Sequence, residues 1–206
     1  VHPVADDALL LWLPLTEGEA DAVELPESTT WETEHPYGTR GVRFGEESEF
    51  SVEFPQLRSD EPLTISFWFR TPDQLISTKL FEQTQKVPKE TGKKNDSEQD
   101  KPEEGTAGWN ITSGTAGNLN FEIRDRAGQK IGGRLPDNEA LKPRVWQHVC
   151  VRYSGGQSTS SITILVNGHQ IALRNSTEEH IDAVELADTP LKIAESLPTA
   201  GMSDLR

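Results

Sequence analysis

Cysteine is almost absent from this 206-residue chain. The single one, Cys150, excludes an intrachain disulfide. It lies in HVCVRY, inside a strand pattern, and reads as a small buried thiol. A reactive cysteine needs an electropositive, accessible setting. Methionine is scarce too: the one present is Met202, and position 1 is Val. Together with the abrupt ending GMSDLR, which looks like the start of a strand, this leads us to expect a segment of a longer polypeptide. No apolar run approaches the ~18 residues of a membrane helix. The longest, ALLLWLPL, is interrupted by Pro14. It has no basic region before it and no small-residue cleavage site after it, so it does not read as a signal peptide. Net positive charge is lacking: 20 Lys and Arg face 34 Asp and Glu, for a net charge of −14. That argues against nucleic acid, where Lys and Arg contacts to phosphate carry most of the affinity. It also argues against anionic membranes and strongly acidic polysaccharides unless a cation bridges. The plain role of such charge is solubility. No G-x-S-x-G, H-E-x-x-H or P-loop pattern occurs, and no convincing amphipathic helix.

What the chain has in quantity is strand signal. In LTISFWFR (63 to 70), Ile65, Phe67 and Phe69 take one face and Thr64, Ser66 and Trp68 the other. Residues 9 to 15, GVRFG, EFSVEF, TKLFEQT, GWNITSG, NLNFEIRD, HVCVRY, SITILV, HQIALR and LKIAE are further candidates. Asn167–Gly168 between two β-rich runs predicts a type I′ hairpin turn, which needs positive φ at both central residues. Gly155–Gly156 is a looser version. STEEHIDAVEL has room for a turn of helix. Nine or more short strands with frequent turns predict an all-β fold, a two-sheet antiparallel β-sandwich. Residues 85 to 106 stand apart, with Val87 as their one aliphatic residue. They cannot bury enough apolar surface to offset their ordering entropy, so we expect a charged, flexible insertion between two strands.

The order of these motifs resembles a known family. GVRFGEESEFSVEF, LTISFWFRTPD, GWNI, LNFEIRD, VWQHVCVRYSG, ITILVNGHQI, LKIAESL and GMSDLR together are similar to the laminin G-like, concanavalin A-like lectin/glucanase superfamily. Two departures are Met202–Ser203, where Ile-Asp is usual, and the final strand cut after Arg206. The resemblance implies a single jelly-roll domain over residues 1 to 206. It implies an extracytoplasmic, bacterial, non-catalytic module of a larger multidomain protein, with carbohydrate binding a frequent role. Ca²⁺ on oxygen ligands is a family feature; Asp204 sits where the family's final-strand acid sits, but no ligand set is definable. No other cofactor is expected.

Glucanases of the superfamily place acids at alternate positions of one strand, so that two carboxylates flank one bond at ~5 Å in a retaining enzyme. No such triplet occurs here. Glu122 and Asp125 fall on opposite faces, so the chain is not read as an enzyme. Trp68, Trp146, Trp12 and Trp109 are expected to pack, and His148 to be a structural hydrogen-bonding residue. Trp31 and Tyr37 lie in TTWETEHPYGTRG, a polar segment without strand period. They form either a lid on the core or a flat apolar platform for a sugar ring. Arg124, Asp125 and Arg126 make a charged hairpin end, and Arg134 and Asn138 are expected to join them on one rim. The expected ligand is a polysaccharide or oligosaccharide, neutral in view of the net charge. A structural domain packing on its neighbours in the parent chain is the competing reading, and glycoside hydrolysis the third.

Overall fold

The computed structural model describes residues 11, 13, 15, 25–31, 40–44, 50–71, 77–88, 104–114, 116–178, 181, 185–193 and 201–203. They form two seven-stranded sheets in which every ladder is antiparallel. Strands are numbered in chain order. The first sheet runs β1 (Thr30–Trp31), β2 (Val42–Arg43), β14 (Gly201–Ser203), β4 (Leu63–Arg70), β9 (Trp146–Tyr153), β10 (Ile162–Val166), β11 (His169–Ile171). The second runs β12 (Arg174–Glu178), β8 (Lys130–Arg134), β7 (Leu119–Arg124), β6 (Glu104–Ser113), β5 (Thr78–Pro88), β13 (Leu191–Ile193), β3 (Phe50–Val52). This is the jelly-roll sandwich expected.

Alternation sends one side-chain set of each strand between the sheets. β4 contributes Leu63, Ile65, Phe67 and Phe69, β9 contributes Val149, Val151 and Tyr153, and β10 contributes Ile162 and Ile164. They meet Phe81, Trp109, Ile111, Phe121 and Ile123 from the second sheet. Phe67 and Phe81 cross the interlayer gap edge to face, with ring centroids 4.8 Å apart. Of the polar groups buried here, those of Trp109, Gln83 and Tyr153 are tied down, whereas Ser113 Oγ has no hydrogen-bond partner among the described residues. The indole N–H of Trp109 donates to Gln83 Oε1 at 2.9 Å, and Gln83 Nε2 donates to the carbonyls of Thr189 at 3.0 Å and Pro55 at 3.2 Å. The Tyr153 hydroxyl lies against the carbonyls of Ser59 and Gly156.

Burial, and then the nearby Asp60 carboxylate, push the Tyr153 phenol up to about 12. Above pH 10 the unfolded chain loses this proton while the folded one keeps it. Stability from this group is therefore complete below pH 10 and is lost as pH rises through 12. Chemical denaturation at successive pH values is expected to give a shallower alkaline decline for Tyr153→Phe than for the parent; equal slopes would exclude the assignment.

Several expectations change. β5 runs to Pro88 and β6 starts at Glu104, with Gln85↔Ala107, Lys86↔Thr106 and Val87↔Gly105 in register. The ends of the charged insertion are thus ladder, because backbone pairing and the burial of Val87 supply what composition lacks. Residues 89–103 lie outside the described residues. Of STEEHIDAVEL, the stretch to Glu178 is strand paired with β8, and residues 179, 180 and 182–184 lie outside the described residues. Arg134 ends β8 rather than lying in a loop, and Trp31 belongs to β1. Asn167 and Gly168, with φ of 51° and 81°, form the predicted two-residue turn between Val166 and His169.

Candidate functional site

The alternation that fills the core sets the other half of each strand on an outer face. On the second sheet that face is polar from edge to edge. Its first row crosses five strands in register: Arg174 on β12, Arg134 on β8, Asn120 on β7, Thr112 on β6 and Lys79 on β5. At ~4.8 Å per strand the row is about 19 Å long. The second holds Gly132, Glu122, Asn110, Glu82 and Lys192. The third holds Lys130, Arg124, Gly108 and Thr84. Asn110, Thr112, Asn120 and Glu122 are half-buried by their own neighbours.

Charges on this face are interlocked. Glu122 accepts from Arg124 at 2.7 Å and lies 3.5 Å from Lys130. Arg124 also donates to Thr106 Oγ1. Lys79 donates to Glu82 at 2.7 Å, and Thr84 Oγ1 donates to the same carboxylate at 2.8 Å. Such pairs are worth little as stability at a surface, but they fix long side chains in one geometry. Asn120 Oδ1 is buried without a hydrogen-bond partner among the described residues, and so is Asn118 Oδ1, whose amide donates to Asp137 at 2.8 Å. A buried acceptor left unpaired costs about 1–3 kcal/mol.

The residues singled out from sequence do not form one rim. Arg124 and Arg126 stand at one end of the β7–β8 hairpin; Arg134, opposite Asn120, and Asn138 stand at the other, in a 3-10 turn at Asp137–Glu139. Four residues of strand, about 13 Å, separate the ends. Asp125 is 1% exposed and builds the hairpin turn: its Oδ1 accepts from the Gln129 amide at 2.9 Å and its carbonyl from the Gly128 amide at 3.1 Å. That engagement, forced by the tight turn, removes it from the ligand-facing set. Trp31 pairs with Val42 and so takes the inward register, yet at the sheet edge it keeps 37% of its surface exposed. It is an exposed aromatic on the other sheet. Tyr37 and Asp204 lie outside the described residues.

On the outer face of the first sheet, Trp68 lies 5.3 Å from the His148 ring, and Ser66 Oγ bonds His148 Nε2 at 2.8 Å. His148 is thus structural, as expected, whereas Trp68 is half-buried outside rather than in the core. Cys150 shares this face, where burial pushes its thiol up. A thiol shifted in that direction is a poor nucleophile at neutral pH. Among the described residues no three His, Cys, Asp or Glu side chains group as metal ligands.

In sequence, residues 44–199 match the model of the concanavalin A-like lectin/glucanases superfamily. The chain belongs to this superfamily. No curated protein matches it. In fold this superfamily member is similar to the ligand-binding domain of botulinum neurotoxin serotype D solved with N-acetylneuraminic acid (TM-score 0.58, 14% identity, 88% of this chain and 41% of that one). It is also similar to the endo-β-1,4-glucuronan lyase of the fungus Trichoderma reesei (TM-score 0.51, 11% identity, 95% and 93%). A third is the carbohydrate esterase of the Shiga toxin-encoding bacteriophage phi24B (TM-score 0.51, 12% identity, 95% and 95%). At such identities the likeness is one of fold. The chain spans less than half the length of the botulinum domain it matches.

Since the superfamily includes glucanases, its acids need a test. Glu82 and Glu122 share the outer face two strands apart, with Asn110 between them. Both are gripped by cations at 2.7 Å. A general acid is instead set in apolar surroundings that keep it protonated. Neither has the surroundings of a general acid. Of this face, the sequence singled out Arg124 and Arg134 but not Asn110, Thr112 or Asn120. The signal was present as the polar parity of NLNFEIRD and GWNITSG.

Proposed function

We propose that this domain is a non-catalytic carbohydrate-binding module of a larger, extracytoplasmic bacterial protein, and that it holds glycan on the outer face of the second sheet. The observation that carries the reading is the set of half-buried amides, hydroxyls and ion-paired charges in register over five strands. Sugars present hydroxyls as donors and acceptors together, and fixed side chains bind them without a large ordering cost. Of the residues expected from sequence, Arg124 and Arg134 belong to this face, and Arg126 and Asn138 to its two ends. Trp31 stands apart on the other sheet, so recognition here rests on hydrogen bonds more than on stacking.

A glycan array followed by affinity electrophoresis tests the reading. Asn120→Ala and Asn110→Ala are each expected to weaken retention roughly 3- to 10-fold, the worth of one or two hydrogen bonds, with an unchanged melting temperature. Absence of retention on every glycan would leave the domain a structural spacer between its neighbours. Release of reducing sugar by the purified domain itself would make it an enzyme.

A further inference from the structure

We propose, building on the glycan reading above, that the bound polysaccharide is an acidic one, and that Arg134 and Arg174 take its carboxylate. The chain's charge of −14 is unevenly placed. The described residues hold 15 of the 20 Lys and Arg but 13 of the 34 Asp and Glu, so the excess of acid belongs to the rest of the chain. The outer face of the second sheet collects Lys79, Lys86, Arg124, Lys130, Arg134, Arg174 and Lys192 against the carboxylates of Glu82, Glu122 and Asp137. At physiological ionic strength charges are screened beyond about 8 Å. A ligand on this face therefore feels mainly the charges that line it.

Two cross-strand pairs on the face bring like charges directly opposite each other: Arg124 with Lys130, and Arg134 with Arg174. Such juxtaposition is unfavourable unless an anion stands between. The first pair has one, since Glu122 reaches Arg124 at 2.7 Å and Lys130 at 3.5 Å. The second pair does not have a close one. Asp137 stands 4.0 Å from Arg134 and 3.9 Å from Arg174, beyond hydrogen-bond length on both sides. Two guanidinium groups thus lean toward one carboxylate without closing on it. A carboxylate on a sugar ring would complete both forks with charge-assisted bonds. Its neighbouring hydroxyls would lie along the same row, over Asn120 and Thr112.

The test uses a matched pair of probes, a polyuronate and the same polymer after carboxyl reduction, in affinity electrophoresis at about 0.1 M and 1 M salt, where the screening length falls from about 10 Å to about 3 Å. The polyuronate is expected to be retained at least tenfold more tightly, and to lose that advantage at high salt. The double variant Arg134→Gln/Arg174→Gln is expected to lose about tenfold on the polyuronate but only about two- to threefold on the reduced polymer, with the melting temperature unchanged. Equal, salt-independent retention of the two polymers would overturn the acidic preference while leaving the glycan reading standing. Retention of neither would remove both. Single-stranded DNA or a sulfated polymer held as tightly as the polyuronate would reduce the face to a general cation surface and overturn the carboxylate assignment.

Discussion

Trp109→Ala is expected to cost about 5 kcal/mol of unfolding free energy, the largest effect of any single change considered for this domain. The ring is 1% exposed, and it faces Phe54 and Phe121 with centroids 6.1 Å and 6.5 Å away. Removing a buried Trp costs roughly 3–5 kcal/mol through lost burial and the cavity left behind. A second term follows from the indole N–H. Gln83 is fully buried, and its Oε1 loses that donor, at about 1–3 kcal/mol for an orphaned acceptor. At roughly 2–4 °C per kcal/mol for a domain this size, melting should fall by about 10–20 °C. Trp109→Phe separates the terms, since it keeps most of the ring and loses the hydrogen bond. Denaturant melts in which Phe and Ala are equally damaging would mean that the bond to Gln83, not packing, dominates.

Gly108→Ala should be nearly as severe, about 3 kcal/mol or more. The backbone there has φ +129°, and a Cβ would stand 2.0 Å from the Gln83 carbonyl oxygen and 2.8 Å from Thr84 Cα. Neither neighbour is a side chain that can swing aside. β6 would have to leave β5, and with it would go the register that sets Asn110 and Thr112 on the outer face. Strain of this kind lies in the range of the costliest single substitutions. Hydrogen exchange should localise the loss to the β5 and β6 amides. An alanine variant with parental melting and exchange would refute the reading of this crossing.

The sequence was most legible where one face of a strand is buried. LTISFWFR was read to the residue, because alternation of Ile65, Phe67 and Phe69 with Thr64, Ser66 and Trp68 is a direct record of two environments. The Asn167–Gly168 turn was legible for a similar reason: few residue pairs tolerate that backbone. Legibility failed where pairing, rather than side-chain chemistry, holds the chain extended. KIGGR carries no alternating apolar pattern, yet it is β8, with Gly133 fitted against Ile162 and Leu173. Lys86, Pro88 and Thr106 were assigned to a flexible insertion on composition alone. They are held by a ladder whose partner lies some 20 residues away.

The candidate site shows the same division. Arg124, Asp125 and Arg126 were grouped as one charged tip, but in a strand-to-turn junction successive side chains diverge. Arg124 went to the outer face and Asp125 into the turn.

By itself the sequence determined the sandwich: alternating apolar residues in short runs can satisfy both backbone and side chains only as paired strands with one face hidden. Which polar residues meet was decided by tertiary structure. Arg134 and Arg174 are 40 positions apart in the chain and become neighbours through the register of β8 and β12. Register depends on hydrogen bonds between distant strands, and no local pattern encodes it.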